Sequence, residues 1–245
     1  MDKKEFTDIF NTLADLNGIN NEESSIAESF FTLCSCLTAA NKIHNLTAIK
    51  EEEGIILKHF IDSLMISELI DEGSSVIDIG CGPGFPSLPL AIYRKDLKIL
   101  GVDSTSKKIN YVSDTARSLG LDNISAISTR AEELGHNAEY RESFDVATAR
   151  AVASLPVLCE LCLPFVRTGG YFIAMKAQNA QEEIAASKNA ISKCGGEYIK
   201  TVTKLLTPRS PDNESEKRSL IIIKKTKNTP DVYPRMYSKI IKKPL

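Results

Sequence analysis

Residues 76–85, Val-Ile-Asp-Ile-Gly-Cys-Gly-Pro-Gly-Phe, combine an acidic residue with three glycines at every second position. The apolar residues predict a buried strand, and the glycines after it let a ligand lie directly against the backbone. A dinucleotide-binding turn, G-x-G-x-x-G, would need a glycine at position 85, which is Phe85 here. An acid two residues before the first glycine also suits a cofactor that carries a sulfonium and an ammonium group. The turn therefore favours S-adenosylmethionine over a dinucleotide, and the predicted contacts are Asp78, Gly80, Gly82 and Gly84.

Two later positions fit the same cofactor. Asp103 ends the next apolar run, 19 residues beyond Gly84, where an acid can accept hydrogen bonds from both ribose hydroxyls. The loop 130–133, Arg-Ala-Glu-Glu, follows the third predicted strand and can reach the adenine amino group with backbone and carboxylate. Each feature alone is weak, because an aspartate after a strand is often only a helix cap. Together, after three successive strands, the three features predict an adenosine-binding site.

The segment 144–155 follows the next predicted strand and is expected to face the methyl acceptor. It has neither the Asp/Asn-Pro-Pro-Tyr sequence used on exocyclic amino groups nor the Pro-Cys pair used on carbon 5 of pyrimidines. Arg150 stands there instead. It could equally form a surface ion pair, for example with Glu132 or Glu133, and Arg130 could also be a salt-bridge residue.

An arginine-lined site without an evident general base fits methylation of guanine N7. That nitrogen carries a lone pair and no proton, so the enzyme needs positioning and electrostatics rather than acid–base catalysis. Arginine binds phosphate and the N7/O6 edge of guanine. Because a bond donated into N7 would block the nucleophile, we expect contacts to O6 or phosphate.

Charge is distributed unevenly along the 245 residues. Residues 1–76 hold 5 Lys/Arg against 14 Asp/Glu, whereas residues 217–245 hold 9 against 1, a net of +8. The basic end is a candidate phosphate contact, or else a solvated tail that aids solubility.

The spacing of the cysteines argues against a metal site, and the lack of long apolar runs argues against a membrane-spanning helix. Cys159 and Cys162 lie three residues apart in an apolar segment without a second cysteine pair nearby, so core packing is the favoured interpretation and no metal site is expected. The six cysteines follow a charged start without an apolar leader, and no apolar run approaches the length of a membrane helix. We expect a cytoplasmic protein with free thiols and no membrane contact.

The predicted secondary structure changes near residue 75. Before it, apolar residues recur at helical spacing, with a cap at 20–23 before the second helix and a third helix over 51–70. After it, strands alternate with helices that fill the first five gaps; the predicted strands are 75–79, 97–103, 124–128, 144–149, 169–176, 198–206 and 218–224.

This alternation implies a mostly parallel sheet covered on both faces. Glycines 169 and 170 are predicted to turn the chain into the fifth strand, and the polar segment 207–217 suits a long hairpin that makes the seventh strand antiparallel. The expected fold is α/β, that of class I, Rossmann-like S-adenosylmethionine-dependent methyltransferases. We expect an N-terminal helical cap (1–72), a methyltransferase domain (73–230) and a basic tail (231–245).

The chain also resembles the glucose-inhibited division protein B family, the bacterial small-subunit (16S) ribosomal RNA guanine-N7 methyltransferases. The resemblance covers about residues 45–245. Its matching segments are NLTAI (45–49), KHFIDSL (58–64), VIDIGCGPGFPSLPLAI (76–92), VDSTSKK (102–108), TRAEEL (129–134), TARAVASL (148–155), GGYFIAMK (169–176), RSLIIIKK (218–225) and YPRMYSKIIKKPL (233–245).

The resemblance implies functions for individual residues. Cofactor contacts are implied at Gly80, Phe85, Ala131, Glu132 and Arg150, with Asp103 near the ribose. The resemblance also suggests that Asn45, His59, Arg130, Lys176 and Arg218 line or flank the RNA side of the pocket. We expect Arg130, Arg150 and Lys176 to orient the reaction, and Arg235, Lys239, Lys242 and Lys243 of the tail to bind RNA as well. The implied partner is small-subunit ribosomal RNA or the 30S particle, bound by a monomer.

Simpler interpretations remain for several of these positions. His59 could be a packed histidine, Asn45 a helix cap, and Lys176 a charge that neutralises a helix end. The chain also departs from the family pattern: Cys81 replaces the commoner Thr, Ser87 replaces a Gly, and the tail has Ser238 and Ile240-Ile241 where Gly and Pro are usual. Two other functions fit the cofactor turn alone, a methyltransferase for small molecules or proteins and a non-catalytic cofactor-binding RNA module.

Overall fold

The computed structural model describes residues 1–21, 24–150, 152–177 and 180–245. Seven strands form one sheet in the order β3-β2-β1-β4-β5-β7-β6, and β7 runs antiparallel to both of its neighbours, as predicted. The strands are β1 (Ser75–Ile79), β2 (Lys98–Asp103), β3 (Ile124–Ser128), β4 (Phe144–Arg150), β5 (Val166–Lys176), β6 (Gly196–Leu206) and β7 (Glu216–Lys225).

Helices cover both faces of the sheet. Alternate residues of β1 show this, since Val76 joins the core on one face and Ile77 and Ile79 join the core on the other. The first face holds α1 (Lys3–Leu16), α2 (Ser24–His44), α3 (Glu52–Ile55), α4 (Asp62–Leu64), α5 (Ser87–Tyr93) and α6 (Ser106–Ser118). The second holds α7 (Ala131–Leu134), α8 (Leu155–Cys162), α9 (Ala180–Lys193) and α10 (Tyr237–Lys242).

The N-terminal helices share one continuous core with the sheet. Phe10 stacks on Phe30 at 4.7 Å between ring centroids, Phe30 meets Phe60 at 5.2 Å, and Phe60 meets Phe85 at 6.1 Å. This row of aromatic rings connects the N-terminal helices to the glycine-rich turn. The predicted cap at 20–23 includes Glu22 and Glu23, which lie outside the described residues.

The third predicted helix, 51–70, is helical over 52–64 but is not one regular helix. A π-helical segment, Ile56–Ile61, separates α3 from α4, and a 3₁₀ turn follows at Ser67–Leu69. One extra residue per turn rotates the side chains that follow it, and such segments are frequent at functional sites. His59 lies inside this segment and Asp62 comes directly after it.

The fifth strand also begins three residues earlier than predicted, so Gly169 and Gly170 lie inside it rather than at its start. The register shifts between Phe144 and Val146, which pair with Val166 and Tyr171. A Cβ atom on Gly170 would lie 2.4 Å from the carbonyl oxygen of Asp145. Glycine is therefore required here by the close approach of two strands at a bulge.

The C-terminal segment folds back onto the second face. Its short helix α10 packs on α8, and Ile240 is fully buried. Within the described residues, no helix has both the length and the apolar character needed to cross a membrane.

Candidate functional site

The glycine-rich turn presents bare backbone to a cleft at the carboxyl end of β1. Gly80 has a φ of +73°, and the amides of Gly80 and Cys81 donate to the carbonyl of Val102 at 2.8 and 3.0 Å. A Cβ atom on Gly80 would lie 2.7 Å from a methyl group of Val152, whereas a Cβ atom on Gly82 would meet nothing within 4 Å. Left-handed backbone and close packing explain the glycine at position 80.

Asp103 ties this turn to the neighbouring strand. Its carboxylate accepts from the backbone amides of Gly82 at 3.1 Å and Thr105 at 2.8 Å, and Lys108 lies 3.8 Å away. The aspartate therefore has the local turn role of an acid before a helix. It also lines the cleft, so the predicted ribose contact and the turn role are compatible.

Two connected clefts meet at Gly80, Asp103 and Val152. The larger, of about 820 Å³, contains Gly82, Phe85, Arg150, Lys176, His59 and Arg218 from the predicted residues. The smaller, of about 180 Å³, contains Arg130, Ala131 and Glu132. The structure thus brings together most of the residues predicted for cofactor binding, on the edge where parallel α/β sheets bind ligands.

Gly84 and Asp78 lie outside the walls of both clefts. A Cβ atom on Gly84 would lie 2.6 Å from Leu88, so this glycine serves the packing of α5 beneath the turn. Asp78 is fully buried, and the hydroxyl of Ser87 donates to one of its carboxylate oxygens. The serine that replaces the family's usual glycine therefore has a specific partner.

The other carboxylate oxygen of Asp78, Oδ1, has no hydrogen-bond partner. Burial raises the pKa of Asp78 to about 7, although the hydrogen bond from Ser87 opposes the shift. A positively charged ligand at the turn would favour the ionised carboxylate. The exposed backbone of the turn, the buried carboxylate of Asp78 and the carboxylate of Asp103, which can bind ribose hydroxyls, together fit S-adenosylmethionine.

Arg150, the last residue of β4, reaches across to the N-terminal helices. One of its terminal nitrogens donates to the carboxylate of Asp62 at 3.0 Å and to the carbonyl of Lys58 at 3.1 Å. Its guanidinium lies 5.4 Å from the ring centroid of Phe85, a cation–π contact. The ion-pair alternative for Arg150 is thus realised with Asp62 rather than with Glu132 or Glu133.

Asp62 also binds Arg218, a residue of β7. The Nε atom of Arg218 donates to it at 2.6 Å, and the same arginine bonds Glu216 at 2.9 Å. Glu216 in turn pairs with Lys58 at 2.8 Å. Asp62 is not among the residues predicted from the sequence, although regular helical spacing places a residue three positions after His59 on the same helical face.

His59 lies flat against Phe85, with 4.6 Å between ring centroids and 5° between ring planes. Its Nε2 is 2.7 Å from the hydroxyl of Thr47, and its Nδ1 is 3.3 Å from Arg150. Burial and then the charge of Arg150 lower the pKa of His59 to about 4, so the ring is neutral at pH 7. It is packed and also lines the larger cleft.

Lys176 is the last residue of β5 and also lines the larger cleft. Its ammonium donates to the carbonyl of Ala153 at 2.7 Å and pairs with Glu183 at 2.9 Å. Glu183 also accepts from the amide of Leu155 at 2.7 Å, at the start of α8. The lysine is therefore fixed between β4, β5 and α9.

The remaining predicted residues lie at the periphery. Arg130 is 57% exposed and stands 3.8 Å from Glu132. Asn45 is exposed with a φ of +50° directly after α2, at the C-terminus of that helix. The alternative of a cap ahead of Leu46 and Thr47 is not realised, because the next helix begins only at Glu52. Lys239, Lys242 and Lys243 are exposed on or after α10.

Arg235 differs from the other basic tail residues because its side chain is engaged within the protein. It forms hydrogen bonds of 2.8 and 2.7 Å to both carboxylate oxygens of Glu160, which is fully buried in α8. Cys159 and Cys162 of the same helix are also fully buried. Among the described residues, no group of three or more His, Cys, Asp or Glu side chains is placed to hold a metal ion.

Comparison with known proteins finds similarity along most of the chain. A sequence model of the family GidB, described as rRNA small subunit methyltransferase G, matches residues 26–210. The ribosomal RNA small subunit methyltransferase G of Acetivibrio thermocellus is 44% identical over 229 residues, which cover 93% of this chain and 92% of the relative. The protein of that name from Clostridium novyi is 42% identical over 247 residues, covering 99% and 98%.

Solved structures share the fold at low identity. A SAM-dependent methyltransferase from Methanosarcina mazei has a TM-score of 0.50 and 19% identity, over 66% of this chain and 97% of that one. TYW2 of M. jannaschii, solved in complex with AdoMet, has a TM-score of 0.51 and 17% identity, over 65% and 73%. The predicted class I methyltransferase fold is thus confirmed.

Proposed function

The chain belongs to the GidB family, rRNA small subunit methyltransferase G, and from this membership we propose that it methylates N7 of a guanine in small-subunit ribosomal RNA. It is an S-adenosylmethionine-dependent methyltransferase. The bound cofactor supplies a methyl group on a positively charged sulfur. The residues that would hold it are Gly80 and Gly82 at the turn, Asp103 at the ribose, and Ala131 and Glu132 at the adenine.

The observation that carries the choice of N7 is the state of the acid–base groups in the larger cleft. Among the described residues that line it, the carboxylates are Asp62, Asp103 and Glu183, and each already accepts hydrogen bonds from the protein. Both ring nitrogens of His59 are engaged as well. An acceptor that must lose a proton needs a free base, whereas guanine N7 already has its lone pair available.

The cleft residues would act by orientation and charge. Arg150, Arg218 and Lys176 present donors that suit the O6 atom and the phosphate of a guanine nucleotide, so N7 stays free to attack. Asp62 lies between the two arginines and offsets part of their charge. This matters because unpaired cations would oppose binding of a positively charged methyl donor.

The RNA would extend from this cleft over the basic residues around it. Arg130 at the smaller cleft and exposed Lys239, Lys242 and Lys243 offer phosphate contacts. His59 lines the larger cleft, and exposed Asn45 is a further candidate for contact with RNA. We propose that a monomer acts on this RNA in the cytoplasm, either free or within the 30S particle.

Transfer of labelled methyl to ribosomal RNA tests the proposal. The protein is incubated with labelled S-adenosylmethionine and either small-subunit RNA or 30S particles from a strain lacking the enzyme, and the labelled nucleoside is identified. We expect N7-methylguanine. Label on another nucleoside would refute the choice of guanine N7. Label on protein would favour a protein methyltransferase, and the absence of any labelled acceptor would favour a non-catalytic cofactor-binding module or a small-molecule acceptor.

The variant Arg150→Ala tests whether Arg150 is needed for methyl transfer. This variant should lose at least about 100-fold in kcat/KM, because misplacement of a reacting group by about 1 Å has that effect. Arg167→Ala is the matched control, since Arg167 is an exposed arginine of β5 paired with Asp145 and lies outside the walls of both clefts. Equal activity of the two variants would remove Arg150 from the mechanism.

A further inference from the structure

We propose that the C-terminal segment forms one wall of the adenosine site, and that Tyr237 contacts the adenine of the methyl donor. This inference rests on the proposed function for the identity of the cofactor. It gives the tail a role in cofactor binding that is separate from contact with RNA.

The position of Tyr237 carries the inference. It is the first residue of α10, it is half-buried, and it lines the smaller cleft together with Gly80, Asp103 and Glu132. Those three residues come from the turn after β1, the end of β2 and the start of α7. Tyr237 therefore supplies a side to the cleft that strands β1 to β3 do not supply.

The chemistry of this cleft suits a purine. Ile79 and Leu161 provide apolar surface, and Glu132 provides a carboxylate that is only 12% exposed. A tyrosine ring offers a planar face or edge to a nucleobase, and base–aromatic contacts are a general means of holding bases. The carboxylate of Glu132 can accept a hydrogen bond from an exocyclic amino group. Adenine has both a planar ring and such an amino group, so it suits the residues that line this cleft.

The segment before Tyr237 is anchored firmly enough to place this ring. The backbone amide of Arg235 donates to buried Glu160 at 2.9 Å, in addition to the two bonds from its guanidinium. His136 lies 2.8 Å from the carbonyl of Pro234, and Arg141 donates to the carbonyl of Tyr233 at 3.0 Å.

The residues after Tyr237 continue this attachment. Ile240, three residues further along the same helix, is fully buried in the core of the second face. Lys239 and Lys242 of the same helix are exposed. The helix thus has one face toward the protein and one face available to phosphates.

Binding of S-adenosylhomocysteine, measured by isothermal titration calorimetry without RNA, tests the proposal. Tyr237→Ala should raise the dissociation constant about 5- to 20-fold, as expected for loss of one base–aromatic contact. Tyr237→Phe keeps the ring and should stay within about twofold of the natural protein. Tyr198→Ala is the matched control, because Tyr198 is an exposed tyrosine of β6 and lies outside the smaller cleft.

Thermal unfolding of the ligand-free variants accompanies the titrations, so that loss of the fold is recognised. An unchanged dissociation constant for folded Tyr237→Ala would overturn the inference, and so would equal weakening in Tyr198→Ala. Failure of the natural protein to bind S-adenosylhomocysteine would overturn the cofactor itself. Because no RNA is present, a wrong assignment of the methyl acceptor would leave the result for Tyr237 intact.

Discussion

Replacement of Asp62 by asparagine tests whether one carboxylate holds both arginines of the larger cleft. Asp62 is 6% exposed, and it accepts from Arg150 at 3.0 Å and from Arg218 at 2.6 Å. Asparagine has nearly the same shape but no charge. The substitution therefore leaves two positively charged side chains close together, each only 14% exposed.

The contacts that remain set the size of the effect. Removal of one member of a buried ion pair costs about 3–5 kcal/mol. Here Arg218 keeps Glu216, Arg150 keeps the carbonyl of Lys58, and asparagine keeps one acceptor oxygen. We therefore expect the free energy of unfolding to fall by about 2–3 kcal/mol, less than for complete removal of both partners.

Urea unfolding and methyl transfer provide the two measurements. Asp114→Asn is the matched control, because the Asp114–Arg117 pair is 72% and 77% exposed and such surface pairs contribute less than about 1 kcal/mol. Asp62→Asn should also lower kcat/KM by at least about 10-fold, since both arginines lose their fixed position. Equal losses of stability in Asp62→Asn and Asp114→Asn, together with full activity of both, would show that Asp62 does not hold the two arginines in place.

Two further predictions concern the glycine turn and the histidine beside it. Gly80→Ala should weaken binding of S-adenosylhomocysteine, because the methyl group of the alanine would enter the cleft near Val152. Gly120→Ala is the control: Gly120 has a φ of +64° and open space around it, so the substitution should cost about 1–2 kcal/mol of backbone strain and leave binding unchanged. Equal affinity of the two variants would contradict this role for the turn. The low pKa of His59, about 4, means that the unfolded chain takes up the proton first as the pH falls below about 6.5. The contribution of a neutral His59 to stability is thus complete above that pH and is lost toward pH 4, by up to about 3 kcal/mol. Urea unfolding from pH 4.5 to 7.5 should show a smaller loss of stability in His59→Gln than in the natural protein. An identical pH dependence of the two proteins would disprove this contribution of His59.

Local features of the fold follow from the sequence. The strand at 75–79 and the three glycines after it are visible because strand patterning and the need for positive φ involve only neighbouring residues. The antiparallel seventh strand follows from the polar segment 207–217, whose composition and length suit a hairpin. Regular helical spacing could not reveal the π-helical segment Ile56–Ile61, since tertiary packing decides where a helix gains an extra residue per turn.

Some features of the site can likewise be predicted from the sequence, and others depend on tertiary packing. Asp103 and the residues Ala131 and Glu132 are predictable because strand ends in a parallel sheet converge on one edge. Gly170, by contrast, is placed inside β5 by the close approach of the Asp145 carbonyl, which has no signature in the local sequence.

The cofactor turn, the sheet and the family can all be recognised in the amino-acid sequence, because each depends on local patterns or on similarity to relatives. Tertiary structure alone decided which charges meet. Asp62 is 88 residues from Arg150 and 156 from Arg218, and Arg235 is 75 residues from Glu160. An ion pair depends on distance in space and on burial, so its partners become known only when the chain has folded.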